Sequence, residues 1–321
     1  MTTPRLLTVG EAMLRFSPPM QQAFMDSPQL EVSVGGAELN VAIAAKCMGL
    51  ESSWLSQLPE GALAEKIIRH ARSHGVDPII SKGEGRVGIY FAEVGPDPRG
   101  VTVIYDRDYS AVRSLSREVA TPLIDGTDFS AVFSSGITLA LGDGPREVVS
   151  SLFSGSRSWR RYFEINHRSK LASSSETKSW ALEILPHTDV LFASTHDLIE
   201  TLKLGDDLHS AAEKAIANYE LEYVVVPDRR GRVGELGINS VRVFGHDVDF
   251  SHECKGRVVD PIGAGDAGAG TFIACIEEGM DAKSAAEFST LASAWTQTHA
   301  KDAASFQRSD IVAPDDRRIR R

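Results

Sequence analysis

Short apolar runs alternate with helical patterns along most of the chain, and few folds accept that rhythm. Residues 6–10, 53–57, 131–135, 162–166, 190–193 and 223–226 read as buried strands. Between them, 40–49, 63–74, 145–153, 175–185, 208–219 and 282–298 carry helix-spaced apolar positions, several closed by glycine. Strands alternating with helices imply a mostly parallel sheet covered on both faces. Two stretches break the rhythm. Residues 29–34 and 87–105 alternate apolar and polar side chains at period two, with turn material at Gly95-Pro96-Asp97-Pro98-Arg99-Gly100. Such strands have one face on water, and inserted into an α/β body they suggest a lid over the carboxyl ends of the parallel strands. The expected organisation is one α/β unit over residues 1–312. Its lid is drawn from about 14–34 and 86–112, and a basic tail follows at 313–321.

Composition narrows the partners. With 42% hydrophobic and 24% charged residues the chain reads as an ordinary globular protein, and its formal charge of −10 argues against a nucleic-acid surface. The cysteines, Cys47, Cys254 and Cys275, form no paired motif, and no stretch approaches the ~18 apolar residues of a membrane span. A cytoplasmic protein with reduced thiols is expected. His70 and His74 stand four apart on one helix face, but no acid completes a metal motif, and a solvated helix end explains them better.

The chemistry concentrates in Asp260-Pro261-Ile262-Gly263-Ala264-Gly265-Asp266-Ala267-Gly268-Ala269-Gly270, which opens onto a helical pattern. Glycine-rich backbone at a helix N-terminus presents free N–H groups and the positive end of the dipole to an anion. A carboxylate there, Asp266, repels an anion unless it has a task. Phosphoryl transfer supplies one: the acid takes the proton of an attacking hydroxyl while the N–H groups hold phosphate charge. The run also satisfies GxGxxG. However, it stands too late in the sequence for a dinucleotide fold, and Pro261 lies where a central strand should feed the loop. No Walker A pattern occurs. Near the other end, Gly35-Gly36 before Asn40 allows close backbone approach to a ligand, and a plain tight turn would explain it equally. Arg107 and Arg168 follow predicted strands; each could grip a carboxylate or form a surface ion pair.

Together these motifs resemble the ribokinase-like family of carbohydrate kinases, from Gly10-Glu11 to about Val312. Gly35-Gly36 with Asn40 is similar to the family's first signature, and 260–266 to its second. Within the family the likeness is greatest to 2-keto-3-deoxygluconate kinases. It rests on residues 10–18, Gly88-Ile89-Tyr90-Phe91, Tyr105-Asp106-Arg107 with Ser110-Ala111, Ser135-Gly136-Ile137, and Asn166-His167-Arg168 with Lys170. The resemblance implies a three-layer sandwich with a small β lid that often joins subunits into homo-oligomers, and ATP with Mg²⁺ as phosphoryl donor. It casts Asp266 as base and the amides of Gly263, Ala264 and Gly265 as the anion hole. Gly35, Gly36, Asn40, Tyr90, Tyr105, Arg107, Arg168 and Asp302 would meet the sugar acid. The nucleotide side departs from the family pattern. Ser194-Thr195-His196-Asp197 replaces an Asn-x-x-Glu element, Asp228 replaces a glycine ahead of Gly231, and Gly268 replaces a phenylalanine. On this reading Ser194, Asp228, Gly231, Gly263 and Gly265 would meet the nucleotide, and Asp197 the metal. The implied activity is phosphorylation of a primary hydroxyl of 2-keto-3-deoxygluconate. The alternatives are a kinase of a neutral ketose such as fructose, or a non-catalytic sugar- or nucleotide-binding protein on the same fold.

Overall fold

A computed structural model describes residues 3–20, 22–156 and 158–311; the basic tail lies outside the described residues. The strands are β1 Arg5–Val9, β2 Met13–Ser17, β3 Glu31–Gly35, β4 Glu51–Leu58, β5 Asp77–Lys82, β6 Ile89–Val94, β7 Val101–Asp106, β8 Ala131–Ser135, β9 Arg160–Glu164, β10 Val190–Phe192, β11 Tyr223–Arg230, β12 Leu236–Gly245 and β13 Val248–Arg257. The helices are α1 Ala37–Cys47, α2 Ala62–Ser73, α3 Arg117–Ile124, α4 Gly136–Leu139, α5 Asp143–Ser154, α6 Ser174–Ile184, α7 Leu208–Tyr219, α8 Ala264–Glu277 and α9 Ala282–Thr296.

Nine strands form the main sheet in the order β13-β12-β11-β10-β9-β8-β1-β4-β5. From β11 to β5 every pairing is parallel; β12 and β13 add an antiparallel edge. Apolar clusters cover both faces. α1, α2, α8 and α9 pack on one side, and α3, α5, α6 and α7 on the other. β1 is the pivot: the chain goes to β4 and β5 on one side and later to β8 on the other. In open α/β sheets a crevice forms where the strand order reverses. Here Glu11 follows β1, and Gly136, which starts α4, follows β8.

Local chemistry explains several boundaries. Ser173 and Glu176 close a capping box at α6, Asp207 caps α7 through the Ser210 amide, and Asp281 caps α9 through the amides of Lys283 and Ser284. α8 is central, wedged against α1 and α9. A side chain at position 270 would collide with the Val41 carbonyl, so Gly270 is what lets α8 approach α1 this closely. The second half of the glycine run therefore serves packing.

The remaining four strands form a separate sheet, β3-β2-β6-β7. β2 with β3 and β6 with β7 are antiparallel, but β2 with β6 is parallel, which the period-two pattern had not indicated. β7 is largely exposed. Lys170, in the loop after β9, donates to the Val103 carbonyl at 2.7 Å and ties this sheet to the body.

Candidate active site

Between the two sheets lies a cavity of about 610 Å³. One wall is the start of α8. Gly263 is its N-cap, with φ of 82°, and a side chain there would collide with the Asp302 backbone. Only glycine combines that left-handed backbone with so close an approach. The amides of Gly263, Gly265 and Asp266 find no acceptor among the described residues, while Ala264 N–H reaches the Pro261 carbonyl over 3.4 Å. Gly263, Gly265 and Asp266 line the cavity; Ala264, expected beside them, is buried and does not.

Asp266 is held from α1. Asn40 Nδ2 donates to its Oδ2 at 2.8 Å, leaving the buried Asn40 Oδ1 without a partner. Burial raises the Asp266 pKa, outweighing the Asn40 hydrogen bond; Asp302 adds to the rise while Arg168 and Arg229 oppose it. A carboxylate so placed is a stronger base than one in water, and the cradle beside it can take negative charge.

One end of the cavity is cross-linked by buried charge. Arg15, on β2, donates through Nη1 to Asp302 at 2.5 Å and through Nη2 to Asp260 at 2.6 Å, all three side chains being less than 5% exposed. The Tyr90 hydroxyl also donates to Asp302. Burial works against the Arg15 charge, but Asp302 and then Asp260 outweigh it and raise its pKa. Asp302 was expected at the sugar; its carboxylate is already engaged by Arg15 and Tyr90, although it borders the cavity. Gly36, Asn40, Tyr90 and Tyr105 line the cavity as expected, while Gly35 packs beneath it against Asp302 and Tyr90.

The two arginines differ. Arg107 lines the cavity as expected, but it is buried and pairs with Glu11 rather than standing free; its Nε remains buried and unpartnered. Arg168 is exposed to the cavity and no described residue pairs with its guanidinium. Arg229 was not foreseen. It opens onto the same cavity, donates to the Pro261 carbonyl at 3.2 Å and stands beside Gly265. Glu164 was not foreseen either. Burial, then Asp266, pushes its pKa up to about 8 despite Arg168, so at neutral pH it is largely protonated. Glu38, buried beneath the site, accepts from Ser135 at 2.6 Å and Thr138 at 2.8 Å and fixes α1 on the β8 end.

Of the expected nucleotide residues, Gly263 and Gly265 line this cavity, whereas Ser194, Asp228 and Gly231, and Asp197 expected at the metal, do not. Asp197 Oδ2 accepts from the Ser194 amide at 3.1 Å and its hydroxyl at 2.7 Å, so the two satisfy each other. Asp228 is exposed and pairs with Arg230 at 3.2 Å; Gly231 turns against Gly237. Among the described residues no group of three acidic, histidine or cysteine side chains could hold a metal.

An α/β body whose crevice holds an amide cradle, a buried base and a free arginine, all beneath a small β sheet, defines a phosphotransferase acting on a small hydroxylated molecule. The comparison with known families agrees: residues 3–308 match the pfkB family carbohydrate kinases, and the chain belongs to that family. It is thus a sugar kinase. It is 33% identical to a 2-dehydro-3-deoxygalactonokinase of Haloferax volcanii, covering 98% of this chain and 95% of the relative. A 2-dehydro-3-deoxygluconokinase of Thermoproteus tenax is 30% identical, covering 90% and 87%. Among solved structures, the 2-dehydro-3-deoxygluconokinase of Thermotoga maritima superimposes with a TM-score of 0.90 at 28% identity, covering 97% of each chain. No helix among the described residues is long and apolar enough to cross a membrane.

Proposed function

We propose that the protein phosphorylates a primary hydroxyl of a 2-keto-3-deoxy sugar acid, 2-keto-3-deoxygluconate or its galactonate epimer. The observation that carries this reading is the juxtaposition of Asp266 with the unpaired Arg168 in one cavity. A neutral sugar gives a free guanidinium nothing to do; a carboxylate gives it a two-point partner. The names of the similar proteins from Haloferax, Thermoproteus and Thermotoga support the substrate class.

ATP with Mg²⁺ is the donor that fits. Gly263 and Gly265 would hold its phosphates by their amides, with Arg229 alongside. When bound, ATP supplies the transferable phosphoryl group. The chain offers no metal cluster among its described residues, so Mg²⁺ would rest mainly on phosphate oxygens, as this ion commonly does. The residues themselves do three things. Asn40 aims the Asp266 carboxylate, Asp266 accepts the proton of the sugar hydroxyl, and the α8 amides hold charge that grows on the phosphate. The small sheet, tied down by Lys170, excludes water. We further propose that the exposed β7 side of this sheet joins two copies of the chain.

The test is magnesium-dependent ADP release with both epimers and with fructose, and the product identified by phosphorus NMR. Preference for fructose would sink the sugar-acid reading. Absence of turnover with every acceptor would favour a binding protein on the kinase fold.

A further inference from the structure

A second cavity, of about 940 Å³, lies apart from the one that holds Asp266. It is enclosed by β3, α2 and the turn at residues 299–305. Its charge is nearly all of one sign. Lys66, Arg69 and Lys301 supply the positive charge, and His70, His74 and His299 line the same space. The one acid, Glu65, accepts from Arg69 at 3.2 Å. Lys66 and Lys301 have no carboxylate partner among the described residues. In a chain of net charge −10, two lysines facing one space without a carboxylate partner are costly to hold together.

His70 makes the site more than a charged patch. Its Nε2 is buried without a hydrogen-bond partner, and its ring centroid lies 4.4 Å from that of His74. A buried polar atom left unpaired costs stability unless something arrives to pair it. Burial, then His74, Lys301 and Lys66, push the His70 pKa down to about 4, so it stands neutral in a positive field. The imidazoles do not amount to a metal set: the one carboxylate in the cavity, Glu65, is engaged by Arg69, and their neighbours include lysines, which repel a cation. The rest of the lining includes Val32, Val34, Ala62 and Ala303, which suits a carbon skeleton better than a bare ion.

We propose that this cavity is a second ligand site and that it binds a small phosphorylated carbohydrate. The phosphate would meet Lys66 and Lys301, a turn of the His70 ring would bring its buried, unpaired nitrogen to the phosphate, and the sugar would lie on the valine and alanine wall. Two segments join the cavity to the acceptor site. Lys301 directly precedes Asp302, and Val34 directly precedes Gly35. An occupant therefore touches the chain one residue away from two positions that pack around Tyr90.

The full chain is titrated with 6-phosphogluconate by isothermal calorimetry, with gluconate and inorganic phosphate as comparators. Lys66→Glu, on the exposed side of α2, removes one contact here, and Arg168→Ala disarms the kinase cavity. The expected result is tighter binding of 6-phosphogluconate than of either comparator. Lys66→Glu and Lys301→Ala should each weaken it by roughly tenfold, the effect of losing a charge-assisted hydrogen bond. Arg168→Ala should change it by less than about twofold. No binding at millimolar concentration would overturn the proposal. So would binding lost in Arg168→Ala and kept in Lys66→Glu, which puts the probe in the kinase cavity, or phosphate binding as tightly as the sugar phosphate.

Discussion

The side of the site that we assign to the acceptor and the side that we assign to the nucleotide are built in opposite ways. On the acceptor side, buried ionised and polar groups hold one another across the whole chain: Arg15 with Asp260 and Asp302, Tyr90 with Asp302, Asn40 with Asp266, Arg107 with Glu11. On the nucleotide side the polar groups are exposed or satisfied nearby, as Asp228 is with Arg230 and Asp197 with Ser194. What remains for phosphate there is backbone and one exposed arginine, Arg229. Buried pairs fix geometry at a cost in desolvation and fail badly when one partner is lost, whereas exposed groups contribute little and tolerate change. The difference suggests that selectivity lies with the sugar, and that the departures at Ser194, Asp197 and Asp228 leave the phosphate cradle intact.

The largest break in this comparison should come from Asp266→Asn. Turnover should fall by on the order of 10² or more while acceptor binding, measured by calorimetry, stays. Near-normal turnover would remove Asp266 as base. Because burial raises its pKa, wild-type turnover should also decline on the acid side at a pH above the ordinary carboxylate range.

Arg15→Met comes next. It leaves two buried carboxylates facing each other and should destabilise the fold by about 3–5 kcal/mol in denaturant titrations. An unchanged midpoint would show that the acceptor side is not held by this cation. Arg168→Ala should lower kcat/KM for the sugar acid by roughly 10- to 100-fold, one or two charge-assisted hydrogen bonds, and leave any residual fructose activity alone. Equal losses on both acceptors would refute a carboxylate role. On the nucleotide side, Asp228→Ala should shift the KM for ATP by less than about twofold. A tenfold shift would erase the contrast between the two sides.

Glu164→Gln should barely change turnover at neutral pH, because the native group is already mostly protonated, with a pKa of about 8. The sign of its stability effect follows from linkage. An unfolded glutamate ionises near 4.3, so between there and about pH 8 the folded state holds a proton the unfolded state has lost. That contribution to stability declines as pH rises through the window. The glutamine variant should therefore lose less stability than the wild type between pH 5 and 8, as followed by thermal melts in that range.

Much of the fold was readable because its strands are continuous apolar runs and its helices carry their own caps. β8 and α7 match the sequence expectation to the residue. β12 and β13 were missed because their inward positions include Gly237, Asn239, His252 and Gly256, which blur the alternation that marked the other antiparallel strands. The cradle and Asp266 were legible because the loop and the base lie within one short segment. Arg15 was not: its partners lie 245 and 287 residues away, and nothing beside it in sequence marks it as buried. The same distance hid the Glu11 partner of Arg107, 96 residues off. His70 and His74 were noticed but read as a solvated helix end. Only the approach of Lys301, from far along the chain, reveals the space between them.

The Arg15–Asp302 pair also has a meaning in time. It joins strands and turns 287 residues apart, and Gly263 can take its place only against the Asp302 backbone. Contacts of such long sequence separation form late, after the local helices and the central parallel pairs. The phosphate cradle is thus among the last parts of the molecule to acquire its shape. Pulsed hydrogen exchange during refolding should find the amides of β1 and β8 protected before the start of α8. Simultaneous protection would show that the cradle is ready as soon as the sheet is.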